Sequence, residues 1–283
     1  MQVLPQQEGQ FQSIFFLAAT LTAKIMRNFS RNALILKVDS LGENNRNVTV
    51  FTPDDGIFHG ILYGGAKSKL RSLVSPMNSG VLYLYRDEIK NSTKITDFDV
   101  KKYHLSFRNN LFKAWASSLI AEILIKTRAA GSAPQSFAIA NGFLDGMEMS
   151  EENESRLGLI RFIWRYLDIL GICPNTNFCS HCSVSFHSGK FTGNSLSYRY
   201  IFDEQESGFI CPDCSQNQDK YKFALGKPAI TYLESIKTLP PKEVRKIIID
   251  EKTFIEMKEL SYYLIEKACD SRLKTFETGT GIL

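Results

Sequence analysis

The chain contains 283 residues, a length that predicts two or three domains rather than one. Hydrophobic residues make up 43% of the sequence, which is enough to fill ordinary cores and indicates a globular protein. Six cysteines are too few for a disulfide scaffold, and a formal net charge of only +4 over the whole molecule does not by itself indicate a partner.

We interpret residues 1–25 as an N-terminal extension. Residues 13–23 are apolar enough to resemble the core of a signal peptide. No Lys or Arg precedes this run, however, and it is shorter than the roughly 20 apolar residues that a membrane-spanning helix needs. We therefore expect a cytoplasmic protein without a membrane contact. The extension would precede a start at Met26 and be either disordered or packed as an extra helix.

Residues 33–104 contain five short stretches rich in β-branched and aromatic residues, with partial alternation of apolar and polar side chains. We predict strands at residues 33–41, 47–53, 56–65, 81–86 and 95–104. Turn-forming residues at 42–45 and 54–56 separate the first three. Five short strands in so few residues favour a small closed barrel. An OB fold, which binds single strands and oligosaccharides, and an SH3-like barrel both fit this pattern.

Basic residues are concentrated in the same N-terminal region. Residues 26–103 contain twelve Lys and Arg against eight Asp and Glu, whereas residues 106–283 contain twenty-one of each. A local basic surplus can attract a polyanion, although a run of charges is often only a solvated surface. Residues 64–72 predict a flexible loop in which glycines let a phosphate approach three cations. We predict phosphate contacts from this loop and from the first two strands: Arg27, Arg31, Lys37, Arg46, Lys67, Lys69 and Arg71.

Aromatic residues are interleaved with these cations. The candidates for base stacking are Phe58, Tyr63, Tyr83 and Tyr85. An exposed ring that stacks on a base contributes about 1–3 kcal/mol. The alternation of the strands assigns most of these rings to the core instead.

The hydrophobic period changes from two to 3.6 after His104. This change predicts a barrel domain over residues 26–105 and a helical domain over residues 106–283. We predict helices at residues 111–131, from 134 onward, and at 150–171, 229–239 and 254–269. Ser150 is the predicted N-cap of the third helix.

Four cysteines form two C-x-x-C pairs, Cys179 with Cys182 and Cys211 with Cys214, separated by 28 residues. Each pair can direct two thiolates at one metal ion from a tight turn, and four thiolates complete the tetrahedron that Zn²⁺ prefers. Such a site leaves no position for water or substrate. We therefore predict structural zinc in a module over residues 178–215, with a strand, an acidic turn and a return strand at 195–210.

Other interpretations of the cysteines stay open. The two pairs could form a redox dithiol or be coincidental buried cysteines. His181 or His187 could replace a thiolate if one pair were imperfect. Cys173 and Cys269 are better explained as helix-packing residues than as ligands.

Four segments of the chain resemble the bacterial RecO family, in the same order. Residues 31–72 resemble its opening strand, its Gly-Glu-Asn-like turn, its Thr-x-x-x-Gly hairpin and its Gly-Ala-basic loop. Residues 159–182 and 202–214 resemble the helix and the hairpin that lead into the family's two zinc knuckles. Residues 270–276 resemble its closing basic helix. The first 25 residues have no family counterpart, and the loop after Cys182 is longer than usual.

The resemblance implies an α+β multidomain fold class, with an N-terminal OB-fold β-barrel and a C-terminal all-α domain that carries an inserted four-cysteine zinc ribbon. It implies a non-enzymatic, cytoplasmic and nucleoid-associated protein that binds single- and double-stranded DNA and anneals complementary strands. The implied partners are the acidic C-terminal tail of single-strand-binding protein, which docks on the helical domain, RecR and, indirectly, the RecA recombinase. The implied cofactor is one structural Zn²⁺ per chain.

Two other functions stay open at this point. An RNA-binding protein built from an OB barrel and a zinc ribbon would share the same features. A zinc-dependent nucleic-acid enzyme such as a deaminase would need an H-x-E or C-x-E segment before its P-C-x-x-C. Here Pro212 lies inside the second cysteine pair, and no such segment precedes it.

Overall fold

A computed structural model describes residues 28–65, 68–187, 199–215 and 222–282. Its N-terminal part is a closed barrel of five strands in the order β1-β2-β3-β5-β4. The strands are β1 (Asn28–Leu41), β2 (Asn45–Thr52), β3 (Gly56–Leu62), β4 (Ser79–Asp87) and β5 (Ser92–Lys102). The prediction of five strands and an OB-type barrel is confirmed. The predicted N-terminal extension lies outside the described residues.

The length of β1 allows it to pair with two neighbours, and this closes the barrel. Its first half pairs antiparallel with β4, where Asn28 is opposite Tyr85. A bulge between Ile35 and Lys37 then redirects the strand, and its second half pairs with β2. The barrel core consists of Ala33, Ile35, Val48, Val50, Leu62, Val74, Leu82, Leu84, Ile95 and Phe98.

A short helix, α1 (Lys69–Leu73), lies between β3 and β4. The prediction of a flexible loop over residues 64–72 is therefore wrong from Lys69 onward. Leu70 and Leu73 are three residues apart, so one helical turn directs both against the barrel core. Gly64, before the helix, adopts a φ of +124°, a conformation that residues with a side chain rarely reach.

The barrel and the helices are held together by apolar and polar contacts. Phe51, on the outer side of β2, belongs to the core cluster of the helical domain, and its ring lies 5.5 Å from the ring of Phe137. The buried ring of His104 lies two residues after the end of β5. Its Nδ1 is 2.7 Å from the Met77 carbonyl oxygen, and its Nε2 is 3.0 Å from the Asp145 carboxylate. The barrel is thus anchored to a helix of the second domain at two points.

A 3₁₀ helix (Leu105–Arg108) leads into the helical domain. The described helices are α2 (Leu111–Thr127), α3 (Ala133–Met149), α4 (Glu152–Ile169), α5 (Lys227–Thr238), α6 (Pro241–Val244), α7 (Glu251–Ala268) and α8 (Lys274–Thr278). The prediction of Ser150 as an N-cap is wrong. Glu151 occupies that position of α4, and the Ser150 hydroxyl instead donates to the Gly146 carbonyl in α3.

A small sheet in the order β7-β6-β8 lies between α4 and α5 in the sequence. Its strands are β6 (Arg199–Asp203), β7 (Gly208–Ile210) and β8 (Ala224–Gly226). β6 and β7 form the antiparallel hairpin predicted from the sequence, and β7 ends directly before Cys211. None of the helices in the described ranges is both long and apolar enough to cross a membrane.

Candidate metal centre and nucleic-acid interface

The four predicted cysteine ligands come together in the structure. The sulfur atoms of Cys179, Cys182, Cys211 and Cys214 all lie within 4.8 Å of one another, and those of Cys182 and Cys211 are 3.7 Å apart. Four thiolates at about 2.3 Å from one Zn²⁺ would be about 3.8 Å apart in a tetrahedron. All six cysteines are free thiols. The cluster therefore has the geometry of a metal site and not that of a disulfide.

Backbone hydrogen bonds close both cysteine turns. The N–H of Ser183 donates to the carbonyl of Cys179 at 2.9 Å, and the N–H of Cys214 donates to the carbonyl of Cys211 at 3.0 Å. Each turn therefore presents its two sulfurs to the same side, which is why the C-x-x-C spacing suits a metal ion.

The first turn is fixed beside the strand that leads into the second. The N–H of Ser180 donates to the carbonyl of Phe209 in β7 at 2.9 Å. Gly208 leaves the room that this contact needs, because a Cβ at that position would lie 2.1 Å from the Ser180 hydroxyl oxygen. Two segments distant in sequence are thereby brought to one point.

The cysteines differ in acidity. Burial opposes ionisation of Cys179, but hydrogen bonds from the backbone N–H groups of Cys182, Cys211 and His181 outweigh it and lower the pKa of Cys179 to about 7. Burial raises the pKa of Cys211, and burial together with the neighbouring sulfurs raises that of Cys214. A metal cation is the partner that would let all four thiols ionise together.

The other cysteines and histidines do not join the cluster. Burial raises the pKa of Cys173 to about 12 and that of Cys269 to about 11, and both residues pack in or against the main core. The Nε2 atom of His181 lies 3.5 Å from the Asp203 carboxylate, and that of His187 lies 3.1 Å from an asparagine side-chain oxygen. Among the described residues, four sulfurs are the candidate ligand set.

Two of the predicted phosphate-binding cations have acidic neighbours. The Nε atom of Arg31 lies 2.6 Å from the Asp55 carboxylate and 3.8 Å from that of Asp54. The hydrogen bond with Asp55 is the main cause that raises the pKa of Arg31. The Nζ atom of Lys37 lies 2.9 Å from the Asp39 carboxylate. Both positive charges are therefore partly compensated.

Three other predicted cations lie around the end of β3. Within the described residues the ion pairs of the barrel are made by other cations, which leaves Arg46, Lys69 and Arg71 without an acidic partner. Arg46 is opposite the last residue of β3, and the loop after β3, which leads to Lys69 and Arg71, approaches the β1–β2 turn. Arg27 and Lys67 lie outside the described residues.

A row of outward-facing residues crosses strands β3, β5 and β4 near the end of β3. Ile61 of β3 is opposite Lys94 of β5, which is opposite Tyr85 of β4. The Lys94 ammonium lies 5.5 Å from the ring centroid of Tyr85 and 5.7 Å from that of Tyr63, so two rings share one cation. Both tyrosines are among the predicted stacking residues, but Lys94 is not among the predicted cations. Its place next to the buried Ile95 in a strand is the pattern that identifies it as outward-facing.

The remaining aromatic candidates divide between core and surface. Phe58 packs against the barrel core. Tyr83 is 43% exposed and Tyr63 is 47% exposed. The ammonium of Lys94 is also 3.5 Å from the Asp87 carboxylate. This surface of the barrel therefore combines exposed rings with a cation whose charge is only partly compensated.

A pocket of about 310 Å³ lies between α3, α4 and the segment that includes α6. Its apolar lining includes Ile139, Phe143, Met147 and Phe162, and its charged lining includes Glu154, Arg161, Arg165 and Arg245. The sequence patterns did not predict this site, because the lining residues come from three segments that are far apart in the chain.

The three arginines of the pocket differ in their partners. Arg161 pairs with Glu154 and donates to the Tyr232 hydroxyl at 3.2 Å. The Nη2 atom of Arg165 is buried and has no hydrogen-bond partner among the described residues. Burial, reinforced by the charges of Arg161 and Arg245, lowers the pKa of Arg165. The Arg165 Nε donates to the Ile236 carbonyl at 3.4 Å, so it is the Nη2 group that is left without a partner among the described residues. A buried N–H group without a partner is costly, so the pocket favours an anionic hydrogen-bond acceptor.

The fold and the cysteine cluster define a class of two-part proteins, in which a five-stranded OB-type barrel is joined to a helical domain with a four-cysteine metal-binding site. The family model described as "Recombination protein O N terminal" matches residues 26–103, and that described as "Recombination protein O C terminal" matches residues 108–276. The chain therefore belongs to the RecO family of DNA repair and recombination proteins.

Curated relatives agree over most of the chain. The DNA repair protein RecO of Desulforamulus reducens is 24% identical over 258 residues, which cover 89% of this chain and 94% of that protein. The RecO proteins of Bacillus subtilis and Syntrophobacter fumaroxidans are 22% and 26% identical, over 80% and 66% of this chain and 84% and 72% of their own lengths. The resemblance found in the sequence is confirmed.

Proposed function

We propose that the protein is a DNA-binding recombination mediator without catalytic activity, which anneals complementary single strands and helps to replace single-strand-binding protein by the RecA recombinase. The observation that carries this proposal is the outer row of the barrel, where Lys94 approaches the rings of Tyr63 and Tyr85. Aromatic faces stack on bases of any sequence, and a nearby cation attracts the phosphates between stacked bases.

Further phosphate contacts come from Arg46, Lys69 and Arg71 around the end of β3, and these cations have no acidic partner in the described part of the chain. Each cation that meets a phosphate releases a condensed counterion, so binding is salt-sensitive and independent of sequence. Arg31 and Lys37 contribute less, because each lies within 3 Å of a carboxylate. Each would have to give up this ion pair in order to bind a phosphate. Arg27 and Lys67 are candidates from the sequence alone.

The cofactor in this proposal is one structural Zn²⁺ per chain, held by Cys179, Cys182, Cys211 and Cys214. A shell of four thiolates leaves no open coordination position. Zinc bound there would supply folding energy by cross-linking two turns that are otherwise joined by hydrogen bonds from the Ser180 N–H to the Phe209 carbonyl and from the Cys211 N–H to the Cys179 sulfur. It would take no part in chemistry.

The arginine pocket is the proposed site for the acidic C-terminal tail of single-strand-binding protein. A tail carboxylate would satisfy the unpartnered Nη2 of Arg165 and meet the charge of Arg245, while apolar tail residues would contact Phe143 and Phe162. RecR and, through RecR, RecA are further proposed partners on the ground of family membership.

Strand annealing tests the proposed function. The protein should accelerate pairing of complementary oligonucleotides, both bare and coated with single-strand-binding protein. Removal of the acidic tail from single-strand-binding protein should abolish the acceleration on coated strands and leave bare strands unaffected. Failure of the zinc-loaded protein to accelerate the pairing of bare DNA would refute the proposal. A preference for RNA in direct competition would instead support an RNA-binding protein.

A further inference from the structure

Three exposed cations lie on two segments that adjoin at the end of α2 remote from the connection to the barrel. Arg128 directly follows α2, Arg272 lies between α7 and α8, and Lys274 is the first residue of α8. We name Arg128, Arg272 and Lys274 the distal basic cluster. The cluster lies outside the barrel surface, the arginine pocket and the cysteine site.

Two side chains of α2 hold the cluster's segments together. The Lys126 ammonium donates to the carbonyl of Arg272 at 2.6 Å and to the hydroxyl of Ser271 at 2.9 Å. Glu122, one turn earlier, accepts a hydrogen bond from the N–H of Lys274 at 2.9 Å. The backbone of residues 271–274 is therefore hydrogen-bonded to the last two turns of α2, and the exposed side chains of Arg272 and Lys274 start from this anchored segment.

The cations of the cluster are not engaged in ion pairs. Among the described residues, no carboxylate lies within 4 Å of the charged group of Arg128, Arg272 or Lys274, although the exposed acids Asp270 and Glu277 belong to the same segments. Glu122 is 3.3 Å from the Lys126 ammonium and accepts from the backbone and the hydroxyl of Thr275. The three cations of the cluster are not needed to stabilise α2, since Lys126 already complements the negative end of the α2 dipole.

The surroundings of the cluster favour a nucleic acid as its ligand. No large apolar residue is exposed among residues 122–130 and 266–282. Protein-docking sites are centred on aromatic or aliphatic anchors that enter pockets. A phosphate backbone requires only exposed cations with suitable spacing.

We infer that the distal basic cluster binds the phosphate backbone of a second DNA strand while the barrel holds the first. α2 has 17 residues, so its ends lie about 25 Å apart at 1.5 Å per residue, and its first residues follow the connection to the barrel. Two strands held on one molecule have a high effective concentration for each other, which speeds their pairing. This inference rests on the proposed DNA-binding function and adds a second site to it.

The test compares capture of a first and a second oligonucleotide by the zinc-loaded, full-length protein. The variant is Arg128→Asn, Arg272→Gln and Lys274→Gln, in which asparagine tolerates the φ of +54° at position 128. It should bind one oligonucleotide of roughly 15 nucleotides, enough to fill one OB barrel, as the parent does. Its preformed complex should capture a second, non-complementary oligonucleotide at least about tenfold more weakly, with a salt slope reduced by about 2.

A matched control carries the same change of charge at exposed positions elsewhere in the helical domain. Lys242→Gln, Lys246→Gln and Lys252→Gln together should leave second-strand capture unchanged. Equal loss in both variants would overturn the inference, because net charge alone would then explain it. Parental second-strand capture in the cluster variant, or equal weakening of both binding steps, would overturn it as well.

The outcomes separate this inference from the proposed function. Failure of the parent to bind the first oligonucleotide refutes both the proposed function and the inference that rests on it. Normal first-strand binding with unaltered second-strand capture refutes only the inference. If the triple variant does not fold, Arg272→Gln alone replaces it and should reduce the salt slope of the second step by about 0.7, the value for one phosphate.

Discussion

Lys94 and Tyr85 are directly opposite each other in β5 and β4, and the lysine ammonium lies 5.5 Å from the centroid of the tyrosine ring. The pair is on the outer face of the barrel, and Tyr63 approaches the same ammonium from the end of β3. A cation and two stacking surfaces are thus combined within a few ångströms. This combination is what sequence-independent binding of a single strand requires.

The two tyrosines should contribute to single-strand affinity through their flat faces. Tyr63→Leu and Tyr85→Leu should each weaken binding by about 1–3 kcal/mol, because leucine covers the sheet but offers no ring to a base. Anisotropy titrations with a labelled oligonucleotide measure the loss. Tyr103→Leu, an exposed tyrosine near the connection to the helical domain, is the control and should bind normally. Parental affinity in a protein that carries both substitutions would place base stacking elsewhere.

The cysteine cluster should hold one Zn²⁺ that stabilises the fold. Cys182→Ser should lose the metal, whereas Cys173→Ser, which lies outside the cluster, should retain it. Zinc present at about 1,000 times its Kd would stabilise the native state by about 4 kcal/mol, so a chelator should lower the melting temperature. Metal analysis and thermal unfolding measure both effects. A cobalt-substituted sample whose spectrum requires a bound water would contradict the closed four-cysteine site.

Zinc affinity should fall as the pH falls. Each thiol must lose its proton to bind the metal, so protons compete with zinc below the pKa of the ligands. The pKa of Cys179 is already lowered to about 7, but burial raises the pKa of Cys211 and Cys214, so binding the metal should release protons from these two at neutral pH. Competition with a chromophoric chelator measures the zinc affinity across a pH range of about 6–8. A zinc affinity that does not change with pH would show that the thiols are not the ligands.

Arg165 should be required for binding of the acidic tail. Arg165→Gln should weaken binding of a tail peptide by about 1.5–3 kcal/mol, the range for a hydrogen bond to a charged group. The same variant should lose little folding stability, because Nη2 has no partner among the described residues and the hydrogen bond from Nε to the Ile236 carbonyl is long, at 3.4 Å. Calorimetric titration and chemical denaturation separate the two readouts. Arg156→Gln, on the same helix but outside the pocket lining, should bind the peptide normally.

Glu122 should stabilise the protein in a pH-dependent way. Burial alone would raise its pKa, but hydrogen bonds from the backbone and hydroxyl of Thr275, from the N–H of Lys274 and from Lys126 lower the pKa of Glu122 overall. A lowered pKa in the folded state contributes stability above the unfolded value, and that stability is lost as the pH falls. Glu122→Gln should therefore cost about 1–3 kcal/mol at neutral pH.

The stability difference between the parent and Glu122→Gln should narrow in acid. Urea titrations at a series of pH values measure it, with Glu277→Gln as the exposed control. A difference that stays constant down to the acid range would mean that the carboxylate charge does not contribute.

Local patterns predicted the elements that short-range chemistry determines. Alternation around Ile95 and Val50 identified the strands, and the apolar period through Leu119 and Ile123 identified α2. The helix α1 escaped prediction because Gly64, Gly65 and the serines around it resemble a loop, and only the barrel core stabilises Leu70 and Leu73 as a helical turn.

The candidate sites were predictable to different degrees. The C-x-x-C spacing places two sulfurs on one tight turn, so the cysteine cluster could be predicted from the sequence. The carboxylate partner of Arg31 comes from a turn 24 residues away, and the residues around Arg165 come from three segments, so neither could be predicted from local sequence. Charge counts identified the basic domain but could not separate paired from unpaired cations.

The most direct test of DNA binding by the barrel is the salt dependence of single-strand affinity. Arg46→Gln, Lys69→Gln and Arg71→Gln together remove the three described barrel cations that we predicted as phosphate contacts and that have no acidic partner. If each meets one phosphate, the slope of log affinity against log salt should fall by about 2, and annealing should slow in parallel. A variant that keeps the parental slope and the parental annealing rate would contradict a DNA-binding role for this surface.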